Sequence, residues 1–277
     1  MTAITRKTFL RGSAAAMASL AAPAIVRAGE QYSLTMASSH PTVLPWVGQL
    51  SSLVVAETNT RLEAMGSKDR VDWTEAYGGS LYGFKDTLEA VGDGLTDAGW
   101  VGTLWEGSKM PLQNMTYFAP FVSDDLVATL KIMNELHSEL PQMKAAWDDQ
   151  NTVFLGASGV ETYHLYTNFP VNSLADLDGR KIIAPGPSAN WIASLGAVPV
   201  NGALPTYYNQ IQTGVADGVV VIVTGAFPNK HHEVAPYVTL VGLGAQMTGG
   251  LGFNKDIWGD LSGDVQTVLT QLGEEYT

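Results

Sequence analysis

Histidine, glutamate and a set of tryptophans and tyrosines near strand ends are the side chains of this sequence with chemistry to offer. The chain has five His and no Cys. His40, His137, His164, His231 and His232 show no His-x-x-x-His or His-Glu-x-x-His spacing, the arrangement that puts zinc ligands on one helix face. His231 and His232 are adjacent and point to different faces of any regular element, so they read as a solvated pair near a lobe boundary. Without Cys there is no thiol nucleophile, disulfide or thiolate metal site. A Gly-x-Ser-x-Gly elbow and a phosphate loop are absent, and Gly242-Leu-Gly244 lacks the third Gly of a dinucleotide loop. Glu161 is the candidate general base, but no nucleophile accompanies it, and its competing role is a structural acid. The expectation is a binding protein with no catalytic residues, no cofactor and no metal.

Aromatic residues are the stronger lead. Trp100 ends a predicted strand, Trp105 follows in a loop, and Tyr163 lies on a long extended run over residues 152–167. Each joins an apolar body to a polar tip, which suits a ligand cleft. Trp46, Trp73, Trp147, Trp191 and Trp258 are read as core or lid packing.

The elements that must position these residues follow from hydrophobic periodicity. Strands are expected at 32–37, 70–76 and 96–101, with helices at 43–65 and 84–91 between them. This alternation predicts right-handed crossovers and a largely parallel sheet. Helices at 125–140 and 142–149 precede the extended run. A second α/β series follows, with strands at 181–184, 198–200 and 218–223 and helices at 188–195 and 206–213. The apolar run Val219-Val-Val-Ile-Val223 fits a strand covered on both faces. Two further extended segments within 237–253 are expected to return to the first lobe, and residues 256–276 to form a helix. The domain reading is therefore lobe I from 29–155 and 240–277, and lobe II from 156–239, with a ligand in the cleft between them.

Residues 1–28 read as a signal peptide. Arg6, Lys7 and Arg11 precede an apolar run over 14–26, and Val26-Arg27-Ala28 offers a cleavage point. Thr5-Arg-Lys-Thr-Phe-Leu-Arg11 is similar to the twin-arginine export motif with Lys for the second Arg. Without this segment the chain carries 11 basic and 27 acidic side chains, a balance of −16. Such a surface disfavours nucleic acid and anionic lipid. No later run of 18 apolar residues predicts a membrane span, so no stable membrane insertion of the mature chain is expected.

Three stretches carry a family likeness: Ser173-Leu-Ala-Asp-Leu-Asp-Gly-Arg-Lys-Ile-Ile183, Leu195-Gly-Ala-Val-Pro-Val200 and Tyr208-Asn-Gln-Ile-Gln-Thr-Gly-Val-Ala-Asp-Gly218. Ala76-Tyr-Gly-Gly-Ser-Leu81, Thr87-Leu-Glu-Ala-Val-Gly-Asp-Gly94, Phe118-Ala-Pro-Phe121 and Gly252-Phe-Asn-Lys-Asp-Ile-Trp-Gly-Asp-Leu-Ser262 join them in order. Together they resemble the solute-receptor subunit of TRAP transporters, the tripartite periplasmic importers. The resemblance implies an α/β, two-lobe fold of the type II periplasmic-binding-protein kind, mostly parallel sheets joined by extended hinge strands. It implies a periplasmic receptor that captures a small organic solute and delivers it to TRAP membrane permease subunits. Rival readings are an enzyme on the same fold, or a receptor for an ATP-driven importer or a sensor kinase.

Departures from the family pattern shape the expected site. Ile183 stands where the family commonly has Arg, whose planar fork holds a carboxylate. Tyr163 stands near a second common Arg, and Val219, Val220 and Val221 replace a more polar run. The cleft is therefore expected to be less polar, and to take a solute that is neutral, amphipathic, aromatic or anchored by another group. Candidate anchors for an acid are Lys85 and backbone amides at Gly186 or Ser38–Ser39; His40, Trp100, Glu161, Ile183, Val220 and Val221 complete the expected lining. Family members continue beyond the Asn-Lys-x-x-Trp stretch with bracing helices, whereas this sequence stops at Thr277, which implies one missing brace.

Overall fold

The computed structural model describes residues 29–277, so the expected signal peptide lies outside the described residues. Apolar–polar alternation produces β1 (Gln31–Ala37) and β2 (Arg70–Ala76), paired in parallel from Gln31 opposite Arg70 to Ala37 opposite Ala76. Parallel neighbours need a crossover. Here it is helical, starting with Pro45–Gln49, passing through a π-helical stretch, Leu50–Val55, and ending in Ala56–Ala64. Proline in the first turn loses no hydrogen bond, because its N–H would have no partner there. Trp46, Val47, Leu50, Val54 and Leu62 form its buried apolar face.

β3 (Ala98–Val101) adds to β1 in parallel. The rest of the first sheet is antiparallel: β10 (Gln246–Asn254) runs between β3 and β4 (Thr152–Val160), giving the order β2-β1-β3-β10-β4. The second sheet contains β5 (Tyr163–Thr167), β6 (Lys181–Ile183), β7 (Val198–Val200), β8 (Gly218–Ile222) and β9 (Tyr237–Thr239), in the order β7-β6-β8-β5-β9. β6 is parallel to β7 and β8, and β5 is antiparallel to β8 and β9. Both sheets are thus mixed, parallel at the strands joined by helices and antiparallel where the chain passes from one sheet to the other.

The extended run 152–167 is two strands. Pairing to β10 ends at Val160 and pairing to β8 begins at Tyr163, so the chain changes sheet at Glu161–Thr162 rather than after residue 155. The return passes between Thr239 and Gln246. β9 stays in the second sheet, and only β10 rejoins the first.

Helices close the outer faces. Leu126–Glu139 begins at Asp125, whose carboxylate accepts the Ala128 N–H at 2.9 Å. The helix expected over 256–276 is interrupted: Lys255–Asp260 ends before Leu261, and Ser262 caps a new helix, Gly263–Tyr276. A side-chain oxygen at that position accepts the free N–H groups of a first turn. Val265, Val268, Leu269, Leu272 and Tyr276 make one buried stripe, which packs on β4 and on Ala56–Ala64. The approach is close, since a Cβ placed on Gly156 would lie 2.0 Å from the Gly273 carbonyl oxygen.

Candidate functional site

The carboxyl ends of β1, β3, β6 and β8 face one another between the two sheets, the usual place for a small-molecule site in open α/β sheets. A cavity occupies this place. From the first-sheet side His40, Trp46, Trp100, Leu104, Trp105, Val160 and Thr248 line it. Tyr163, Pro185, Leu204, Tyr207, Val220, Val221 and Ile222 line it from the second. The space between these walls is about 40 Å³. That is room for a few water molecules, so a sugar-sized solute enters only when the walls part.

The aromatic residues form a box. His40 stacks on Trp105 with centroids 5.8 Å apart, and Trp100 stands edge-on to both rings, at 5.1 Å from His40 and 5.8 Å from Trp105. Trp100 Nε1 donates to Ser158 Oγ at 2.8 Å, which ties the ring to β4 across the intervening β10. Burial depresses the His40 pKa to about 4, so the imidazole is neutral at pH 7. Ser39 Oγ lies 2.9 Å from His40 Nδ1, and Ser38 Oγ accepts the His40 N–H at 3.1 Å. Burial also raises the Tyr163 phenol to about 12 and the Tyr207 phenol well above its ordinary range. No Lys, Arg, Asp or Glu lines the cavity among the described residues.

Beside the cavity, a cluster bridges the sheets. The Tyr117 hydroxyl lies 3.0 Å from that of Tyr163, and Trp191 Nε1 donates to the Tyr117 carbonyl at 2.7 Å. Tyr117 and Trp191 stack with centroids 5.4 Å apart. Tyr117 comes from the turn Leu112–Phe118, packed on β10, whereas Trp191 sits on a second-lobe helix, Ala189–Ala193. Gly186 adds a backbone contact. Its φ is +55°, and a Cβ there would fall 2.0 Å from the Leu104 carbonyl oxygen.

Residues 58–277 match the sequence model of the family described as bacterial extracellular solute-binding protein, family 7. The chain belongs to that family. A solute-binding protein of Sulfitobacter sp. (strain NAS-14.1) is 29% identical over 178 residues, covering 60% of this chain and 49% of the relative. The chain thus spans about half the length of the curated relative it matches. A crystal structure of an extracytoplasmic solute receptor from Bordetella pertussis binding pyroglutamic acid superposes with a TM-score of 0.76 at 18% identity, covering 88% of this chain and 78% of that one. A TRAP periplasmic solute binding protein from Sulfitobacter sp. NAS-14.1 with bound β-D-galacturonate gives a TM-score of 0.72 at 22% identity, covering 90% and 80%. At these identities the likeness establishes the two-lobe α/β fold.

For this member of the extracellular solute-binding family, five of the expected lining residues meet at the cavity: His40, Trp100, Tyr163, Val220 and Val221. The others lie elsewhere. Ser38 and Ser39 are buried and engaged with His40 rather than with the cavity. Ile183 is fully buried in second-lobe packing between Val200 and Val219. Lys85 is exposed, with Nζ 5.9 Å from the Phe84 ring centre. Gly186 meets Leu104 across the lobes. Both carboxylate oxygens of Glu161 bind Thr224, one accepting its N–H and the other its hydroxyl, each at 2.7 Å. That pairing gives Glu161 a structural task where the chain changes sheet.

The sequence reading placed Trp46 in packing and passed over Leu204, Tyr207 and Thr248. Leu204, Tyr207 and Ile211 form the buried stripe of Leu204–Gln212, and such a stripe looks the same whether it faces a core or a cleft. The His231–His232 pair is also corrected. His231 is buried with Nε2 3.3 Å from the Leu204 carbonyl, while His232 is exposed and stacked on Phe227.

Proposed function

We propose that this protein is the extracytoplasmic solute receptor of a TRAP-type secondary transporter. It captures a small organic solute between two lobes, 29–160 with 246–277 and 163–239, and delivers it unaltered to a membrane permease. Export by the signal peptide in residues 1–28 places it in the periplasm. The observation that carries this reading is the cavity whose walls come from both sheets, His40, Trp100 and Thr248 on one side and Tyr163, Tyr207 and Val221 on the other. The lobes meet beside it, Gly186 against Leu104 and Tyr163 against Tyr117, as expected of a receptor that closes by hinge motion. Family membership and the solutes of the two structural relatives, pyroglutamic acid and galacturonate, support the same reading.

The chemistry of the cavity supports binding over turnover. Its imidazole and phenols are held neutral, and the Glu161 carboxylate at the sheet change is committed to Thr224. No helix among the described residues is long and apolar enough to cross a membrane. The test is to purify the protein from its native periplasm under non-denaturing conditions, denature it, and identify released solute by mass spectrometry. A stoichiometric solute that binds back saturably and is recovered unchanged supports the receptor reading. Conversion of that solute to product by the purified protein would favour an enzyme instead.

A further inference from the structure

We infer that the cleft selects an uncharged cyclic solute bearing carbonyl or hydroxyl oxygens, held by the indole N–H groups of Trp46 and Trp105 and the hydroxyl of Thr248. This inference rests on the receptor reading and specifies the chemistry of the same cavity. Three of its lining side chains carry buried polar atoms without a hydrogen-bond partner: Trp46 Nε1, Trp105 Nε1 and Thr248 Oγ1. Trp46 and Thr248 are 8% and 5% exposed. Such orphans are rare in folded proteins, because a buried donor without a partner keeps its full desolvation penalty. Others of this kind lie in packing, Trp73 Nε1 and Trp147 Nε1 among them, but these three belong to residues lining one cavity, where a ligand's acceptors would satisfy them. Three other polar groups of the lining are engaged within the protein: Trp100 Nε1 with Ser158, the Tyr163 hydroxyl with Tyr117, and His40 Nδ1 with Ser39.

Charge selects further. An indole donates and cannot accept, so the two Trp residues match ligand oxygens. Among the described residues no cationic side chain lines the cavity, and His40 is held neutral by burial. A carboxylate enclosed there would lose its hydration without gaining a counter-charge. Exposed Lys85 lies at the half-buried Phe84 beyond the Trp105 ring, and Ile183 offers no donor from the second lobe. The stacked and edge-on rings of His40, Trp100 and Trp105 supply flat apolar walls, which favour a ring over a flexible chain.

The experiment compares matched pairs by isothermal titration calorimetry at pH 7: 2-pyrrolidinone against pyroglutamate, benzamide against benzoate, and galactose against galacturonate. The neutral member of at least one pair is expected to bind at least about tenfold more tightly than its carboxylate. Trp46→Phe and Trp105→Phe keep the ring and remove only the N–H, and each is expected to weaken that binding by about tenfold. Thermal unfolding of both variants checks that they fold, and Thr248→Val gives a third reading at a small side chain. Tighter binding of the carboxylates overturns the uncharged-solute inference and leaves the receptor reading standing. Unchanged affinity in all three folded variants, or no saturable binding of any neutral probe, overturns it too. No saturable binding of any probe, combined with no solute released from the native protein, removes the receptor reading as well.

Discussion

At position 183 a single buried side chain belongs to the apolar packing of the second lobe. Ile183 is fully buried on β6, between β7 and β8, and contributes to the apolar packing behind the cavity. An arginine there would carry its charge into that packing with no acid among the cavity-lining side chains to meet it. Ile183→Arg is therefore expected to destabilise the fold by about 3 kcal/mol or more, read as a lower urea midpoint, without creating carboxylate binding. A stable Ile183→Arg protein that gains affinity for galacturonate would contradict this placement. Much at this scale was legible in the sequence. Trp100 and Tyr163 were assigned to the cleft from their strand positions, and Val220 and Val221 from the family resemblance; all four line the cavity. Lys85, Ser38 and Ser39 could not be placed, because their direction depends on loop geometry that no periodicity encodes.

Between elements, one of the contacts that bring the lobes together is backbone on backbone. The turn Gly186–Ser188 packs against Thr103–Trp105, and Gly186 leaves no room for a Cβ beside the Leu104 carbonyl. Gly179 provides the control, since its φ of +69° imposes similar strain with nothing within 4 Å of an added Cβ. Both Gly→Ala substitutions carry the roughly 1–2 kcal/mol of the left-handed conformation. Only Gly186→Ala also holds the lobes apart, so its solute affinity is expected to fall at least about tenfold below that of Gly179→Ala, measured by calorimetry. Equal affinities would show that this contact plays no part in closure. Element type was readable from periodicity for most helices and strands. Three features were not: the break at Leu261–Ser262, where Ser262 caps a new helix; the sheet change after Val160, where the sequence stays extended throughout; and β9, which stays in the second sheet. Apolar patterning reports burial and says little about which partner strand provides it.

The whole molecule carries buried neutral imidazoles in both lobes, and these give it an acid limit. Burial depresses the pKa of His40, His137 and His231 to about 4 each. In the unfolded chain they titrate near the ordinary histidine value of about 6.5. Between these values the unfolded chain binds protons that the folded protein refuses, so stability is full above about pH 6.5 and declines as pH falls towards 4. Each His contributes on the order of 3 kcal/mol to that loss. Relief of acidic self-repulsion acts the other way, but the carboxylates take up protons mainly at the lower edge of this window. Urea midpoints are expected to fall steadily from pH 7 to pH 5; a constant or rising midpoint would exclude neutral, buried imidazoles. On the same scale, the account requires two lobes that close around their solute. The absence of Cys permits clean labelling, and Lys85 and Asn201 are exposed residues on the first and second lobes. Spin labels on Lys85→Cys and Asn201→Cys, read by double electron–electron resonance, should move from a longer, broader distance distribution to a shorter, narrower one when the native solute is added to saturation. An identical distribution with and without bound solute would contradict closure and the receptor account with it.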